Sequence, residues 1–263
     1  MPEDNTLLDR DGVRLTLDGP VAHVTLCNAA KRNAQSPALW RALTEAGRLV
    51  PGQVRVVVLG SEGVSFSAGL DRQAFTPEGF DGEPSFLDLA RGSEKELDAV
   101  IAEYQEAFTW WRRTDLITVA AVQGHAIGAG FQLALACDLR VCADDAQFAM
   151  RETSLGLVPD LTGTKPLVGL VGYGRALEIC ATGRFVHADE AERIGLANLV
   201  VPAADLDAAV ADLVAALLAP PRDAVNETKG LLRSAVHSTD AEQRSAERAA
   251  QGRRLRDLAG LGD

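Results

Sequence analysis

Residues 117–122 read Ile-Thr-Val-Ala-Ala-Val, and residues 54–59 form a second short run rich in valine. A strand that is apolar on both faces must be covered on both sides, as in a sheet flanked by helices. Each run gives way to a glycine turn and then to helical spacing, at 131–137 after the run at 117–122. Alternating buried strand and helix predicts an α/β core.

The glycine turns carry the first functional signal. Gly128-Ala129-Gly130 precedes the helical run, so the first N–H groups of that helix lack intrahelical acceptors and sit at the positive end of its dipole. The stretch Ser65-Phe66-Ser67-Ala68-Gly69-Leu70-Asp71 is a second turn, after the valine-rich strand. Two such turns can aim two N–H groups at one carbonyl oxygen, as in an oxyanion hole. Glycines of this kind serve close packing equally well. A short strand pair is expected after the helix at 131–137, and then come two acidic residues eight positions apart, Glu152 and Asp160. Each has a bland reading, Asp160 as a helix cap and Glu152 as a cap or a partner of Arg151.

Elsewhere the local chemistry is plain. Residues 13–17 and 21–27 alternate around Asp18-Gly19-Pro20 and predict a hairpin. Ser36-Pro37 reads as an N-cap followed by proline at the first helical position, opening a helix that runs to about residue 50. Residues 76–92 are rich in Pro, Gly, Asp and Glu with scattered Phe and Leu, which predicts a mobile loop beside a ligand. Helical spacing returns over 93–114, where Trp110 and Trp111 are expected to pack. Further helices are expected at 164–170, 175–182, 188–194, 205–218, 223–236 and 240–258, with a strand at 197–201.

A formal charge of −11 disfavours a nucleic-acid or anionic-membrane binder, and no apolar run approaches the ~20 residues of a membrane span. The four cysteines lack CxxC spacing and read as free thiols. His23, His187 and His237 show no ligand spacing, so no metal site is expected, and His125 and Asp138 read as locally bonded structural residues. The acidic start MPEDNTLLDRDG shows no signal segment, and a cytoplasmic location is the expectation.

The segments SFSAGLD, GHAIGAGFQLALACDLRVCADDAQF, ETSLGLVPDLTGT and GRALEICATGRFVHADEAERIGLANLVVP occur in this order. Together they resemble the crotonase superfamily, the enoyl-CoA hydratase/isomerase fold, over residues 13–232. The resemblance implies a spiral of strand, strand and helix turns forming an acyl-CoA-binding core over residues 1–200. Residues 201–263 would be a helical region for trimerisation and active-site cover, with trimers often paired into hexamers. The chain's end, LRDLAGLGD, departs from the family's usual tail.

The resemblance also implies roles. Backbone N–H groups of Leu70 and Ala129 would hold a thioester carbonyl, with Lys31, Arg32, Ala68, Asp71 and Lys229 around the CoA moiety of the substrate. No further cofactor is implied. Hydratases of the family use two glutamates, the first matching Gln132 and the second Glu152; Gln cannot exchange a proton at neutral pH. The Glu152/Asp160 spacing resembles the dienoyl-CoA isomerases, so Asp160 is expected as the base near C2 and Glu152 as the distal acid. Those isomerases carry a third acid where this chain has Gln132, which is left to orient a carboxylate or a water. Asp160 also matches the nucleophile of the 4-chlorobenzoyl-CoA dehalogenases, but those have a tryptophan in place of Glu152. A hydratase using Asp160, and an acyl-CoA-binding protein without catalysis, are the alternatives.

Overall fold

The computed structural model describes residues 5–80 and 83–261, so the expectations for the MPED start, for Asp81 and Gly82 of the loop, and for the final Gly-Asp lie outside the described residues. In chain order the elements are β1 (Thr6–Arg10), β2 (Val13–Asp18), β3 (Val21–Leu26), α1 (Pro37–Leu49), β4 (Val56–Ser61), α2 (Phe86–Leu89), α3 (Glu94–Thr109), β5 (Ile117–Val122), β6 (His125–Ile127), α4 (Ala129–Ala136), β7 (Leu139–Ala143) and β8 (Gln147–Ala149). They continue with α5 (Thr164–Val171), α6 (Tyr173–Thr182), β9 (Val186–His187), α7 (Ala188–Arg193), β10 (Leu199–Val201), α8 (Leu206–Leu218), α9 (Arg222–Ala235) and α10 (Asp240–Leu258).

The large sheet has the order β1-β2-β3-β4-β5-β7-β10, antiparallel over its first three strands and parallel from β3 onward. A smaller sheet, β6-β8-β9, stands apart. The strand pair expected after α4 is therefore divided, because β7 joins the large sheet while β8 pairs with β6. The sequence reading also missed β1, an edge strand in which Leu8 alone points into the core, too little periodicity to recognise.

Local signals set the element starts. The Ser36 side chain accepts from Leu39 N with Pro37 in the first turn of α1, and Ser93 and Glu96 form a capping box at α3. Burial then holds the layers together. One face of the sheet packs on α1, α3 and α4 in the main cluster, which includes Leu15, Leu43, Phe108, Trp111 and Phe131. The other face presents Val21, Val56, Val58, Val119 and Val141 to Leu206 and Val210 of α8. Trp111 is fully buried and stacks on Trp110, a packing role as expected. Helix α8 thus completes the core, although it lies beyond the boundary expected at residue 200. Among the described residues, no helix is long and apolar enough to cross a membrane.

Helix α9 is anchored by an ion pair whose lysine is buried. Lys229 Nζ lies 2.7 Å from Asp138 Oδ2 and donates to the Leu116 carbonyl at 2.7 Å, and the side chain is 6% exposed. The Asp138 carboxylate also accepts from Thr118 N at 2.8 Å and Thr118 Oγ1 at 3.1 Å. Asp138 is structural, as its sequence context suggested, while Lys229 is not the phosphate ligand that the resemblance implied. Its ammonium is committed to the interior, and withdrawing it would leave the half-buried Asp138 carboxylate without its cation. We expect Lys229→Met to lower unfolding stability by about 3 kcal/mol in urea titrations, and Lys229→Met/Asp138→Asn to recover much of that loss.

Candidate active site

Two backbone segments meet at the ends of β4 and β5. Ser67 and Ala126 form a parallel bridge, with Ser67 N donating to the His125 carbonyl at 2.8 Å and Ile127 N to the Ser67 carbonyl at 3.0 Å. Gly69, at φ +86°, faces Ile127 so closely that any Cβ would overlap its carbonyl oxygen. That same Cβ position lies 3.7 Å from Ala129 N, so the turns at 69–70 and 128–129 front one part of the cleft. Leu70 N and Ala129 N donate to no acceptor among the described residues. These are the two N–H groups expected from the sequence, and they stand side by side.

The first turn rests on a buried polar scaffold that the sequence reading did not pick out. Ser67 Oγ donates to the Asn33 carbonyl at 2.7 Å, Gln35 Nε2 reaches Ser67 Oγ at 3.2 Å, and Trp40 Nε1 donates to Gln35 Oε1 at 2.7 Å. Asn33, Gln35 and Ser67 are all fully buried. Buried amides of this kind have no periodic signature, since they are placed by partners about 30 residues away.

Gln132 lies on α4, fully buried, and joins the two acids. Its Nε2 donates to Glu152 Oε1 at 2.8 Å, while its Oε1 accepts from Leu161 N at 2.9 Å and Gly163 N at 3.2 Å. One amide therefore aims the Glu152 carboxylate and pins the backbone next to Asp160. Glu152 Oε2 is buried without a hydrogen-bond partner among the described residues. Burial pushes the Glu152 carboxyl above the usual carboxylate range, opposed by the Gln132 hydrogen bond and assisted by the nearby Asp160 charge. Burial likewise raises Asp160.

The cleft has two adjoining chambers. The outer, about 510 Å³, is bordered by Ala68, Leu70, Arg72, Gly128, Arg151 and Glu152. The inner, about 380 Å³, is walled by apolar and aromatic side chains from α1, α2 and α3 and receives Glu152 and Asp160. Glu152 and Leu70 belong to both, and the Glu152 Oε1 lies 3.3 Å from where a Gly128 Cβ would stand. Asp160 borders the inner chamber alone. Glu152 adjoins the glycine turn at 128–129, and Ala129 and Asp160 border the inner chamber with it.

The loop over residues 76–92 does flank the cleft, but through α2, whose Phe86, Leu87 and Leu89 form the chamber wall. No residue of α8, α9 or α10 lines either chamber within the single chain. Ala68 is exposed at the outer chamber. Lys31 Nζ and Asp71 Oδ2 pair at 3.0 Å, and Asp71 also accepts from Gln73 N, which lowers its carboxyl against the opposing effect of burial. Arg32 is exposed in the left-handed region. The outer chamber's own cations are Arg72 and Arg151, neither foreseen, although Arg72 directly follows the first glycine turn. His125 Nδ1 lies 3.3 Å from Ser65 Oγ, a local contact as anticipated. The four cysteines are free.

A family model described as enoyl-CoA hydratase/isomerase matches residues 17–256. The human mitochondrial Delta(3,5)-Delta(2,4)-dienoyl-CoA isomerase is 36% identical over 224 residues, 83% of this chain and 67% of that protein. A 4-chlorobenzoyl coenzyme A dehalogenase of an Arthrobacter species is 32% identical over 224 residues, 84% of this chain and 76% of its own. A Thermobifida fusca YX protein assigned to the enoyl-CoA hydratases, solved in complex with CoA, is 51% identical with a TM-score of 0.90 and 95% of each chain covered.

The raised Glu152 carboxyl has a consequence for stability. A carboxyl raised in the folded state favours folding below its ordinary titration range and loses that contribution as pH rises through the folded value. Glu152→Gln should therefore be more stable than the natural protein at pH 7 in urea titrations, with the gap closing as pH falls through the ordinary carboxylate range.

Proposed function

The chain belongs to the enoyl-CoA hydratase/isomerase family, and within that family we propose that it shifts the double bonds of an enoyl- or dienoyl-CoA through a thioester enolate. The carrying observation is two raised carboxyls, Glu152 and Asp160, on one apolar chamber beside two free N–H groups. The thioester oxygen sits on Leu70 N and Ala129 N, donors worth ~3 kcal/mol each to a developing oxyanion.

Glu152, adjoining that oxygen, removes a proton from C2 of a 3,5-dienoyl-CoA. The electron pair of that C–H bond spreads into an extended dienolate. Asp160, on the same chamber, delivers a proton to C6, and the 2,4-dienoyl-CoA forms as the enolate collapses. Burial favours the protonated form of each acid, which suits one of the pair to begin as donor. Gln132 neither gives nor takes a proton; it keeps Glu152 aimed. A proton leaves and a proton returns, so the reaction calls for no cofactor beyond the CoA moiety of the substrate.

CoA occupies the outer chamber, with Arg72 and Arg151 on its walls, Ala68 at its edge, and Lys31, Arg32 and Asp71 on the adjoining loops. The Thermobifida fusca protein's CoA complex supports this assignment. Self-association as a trimer, or a dimer of trimers, would bury the exposed Tyr173, Leu177, Leu232 and Val236.

Hydration of a 2-enoyl-CoA, with Asp160 replacing the missing glutamate, is the second reading. The apolar lining of the inner chamber, with few groups to hold a water, favours isomerisation.

The test is an ultraviolet time course with a 3,5-dienoyl-CoA, with crotonyl-CoA hydration run alongside. Growth of the conjugated 2,4-dienoyl band, lowered about 10²-fold or more in Glu152→Gln and Asp160→Asn, is the expected result. In D₂O, Asp160→Asn should still exchange the C2 proton and Glu152→Gln should not. Loss of crotonyl-CoA absorbance alone would favour the hydratase, and acyl-CoA binding without turnover, unchanged in the double variant, a binding protein.

A further inference from the structure

The Leu70 N–H has no acceptor among the described residues, yet the peptide group that carries it is held from its other side. The carbonyl of that same peptide, Gly69 O, accepts from Gln35 N at 2.7 Å. A trans peptide is planar, and its C=O and N–H point in opposite directions. Fastening the Gly69 carbonyl to Gln35 therefore turns the Leu70 N–H away from Gln35. Leu70 borders both chambers, whereas the fully buried Gln35 borders neither. Asp71 N donates to the Gln35 carbonyl at 2.8 Å, so Gln35 brackets Leu70 from both sides in a short parallel bridge.

The Gln35 side chain is in turn held at both ends. Its Oε1 accepts from Trp40 Nε1 at 2.7 Å, and its Nε2 donates to Ser67 Oγ at 3.2 Å. The Ser67 hydroxyl also donates to the Asn33 carbonyl at 2.7 Å and accepts from Gly69 N at 3.2 Å, which uses its one proton and both lone pairs. Buried networks whose groups are paired in this way rigidify the backbone around them. The chain of contacts runs from Trp40, in the wall of the inner chamber, to the turn that carries the Leu70 N–H.

We propose that Gln35 is a positioning residue for the reaction, aiming the Leu70 N–H at the thioester oxygen through Ser67 and the Gly69 carbonyl. This rests on the oxyanion role given to Leu70 N above. An oxyanion donor is effective because it is preset and need not reorient as charge develops. Methionine at position 35 has similar length but would leave the Trp40 indole N–H unpaired and Ser67 Oγ short of one donor, so the turn would gain freedom.

The experiment is difference infrared spectroscopy of octanoyl-CoA labelled with ¹³C at the thioester carbon, bound at saturating protein, with kinetics on a 3,5-dienoyl-CoA alongside. The saturated chain cannot isomerise, and its carbonyl frequency is read from the folded, bound protein, so a variant that is merely less stable leaves it unmoved. The natural protein is expected to lower the stretch relative to free octanoyl-CoA. Gln35→Met should lose about half of that shift and lower kcat about tenfold with KM little changed. Trp40→Phe keeps a ring in the chamber wall but removes the donor to Gln35 Oε1, so it should lose a smaller part, and it decides the matter if Gln35→Met does not fold. A full carbonyl shift in the deciding variant overturns the proposal. No shift in the natural protein with octanoyl-CoA bound would overturn the oxyanion reading and this proposal with it. A shift reduced in the variants without dienoyl-CoA turnover by the natural protein would uphold the positioning role and sink only the isomerase.

Discussion

The site depends on one close backbone approach, the parallel bridge between Ser67 and Ala126. It sets the turn after β4 against the turn before α4, and leaves Leu70 N and Ala129 N unclaimed beside each other. Gly69 makes the approach sterically possible, because a side chain there would meet the Ile127 carbonyl. Everything chemical is arranged from that point. The helix that begins there also carries Gln132, so a single short element supplies both an oxyanion donor and the amide that orients an acid.

Gln132 uses its amide in full directional sense. Its donor end meets a carboxylate oxygen and its acceptor end meets two backbone N–H groups. A carboxylate there would keep the acceptor half and lose the donor half, setting a second negative charge against Glu152. The glutamine is thus compatible with a buried acid pair in which only one neighbour, Asp160, perturbs Glu152 by charge. The cost of burying this polarity is offset because most of its hydrogen-bonding groups are satisfied, and the group left without a partner, Glu152 Oε2, belongs to a side chain that borders the reacting space.

The inner chamber is made by elements that meet from distant parts of the chain. Helix α2 brings Phe86 against Phe75 and Tyr104, and the Arg41 guanidinium ties Glu83 to Glu103 and so fastens that segment to α1 and α3. Aromatic contact walls the chamber that Glu152 and Asp160 also border, and the ion pairs hold the segment that carries α2 against α1 and α3.

Much of this was legible in the amino-acid order. Valine-rich runs demanded cover on both faces, Ser36-Pro37 marked a helix start, and the two glycine turns marked the unclaimed N–H groups, because each of these signals is local. Tertiary structure decided the rest. Lys229 was drawn to Asp138, 91 residues away, by the energy of a buried charge, and not to a cleft mouth. Glu152 came to lie beside the oxyanion turn, where Gly128 leaves room for its carboxylate. The chamber wall likewise exists only once α1, α2 and α3 are packed together. Residue type and spacing state what a side chain can bond, but which partner it meets is set by long-range packing, and a strand-and-helix pattern does not encode it.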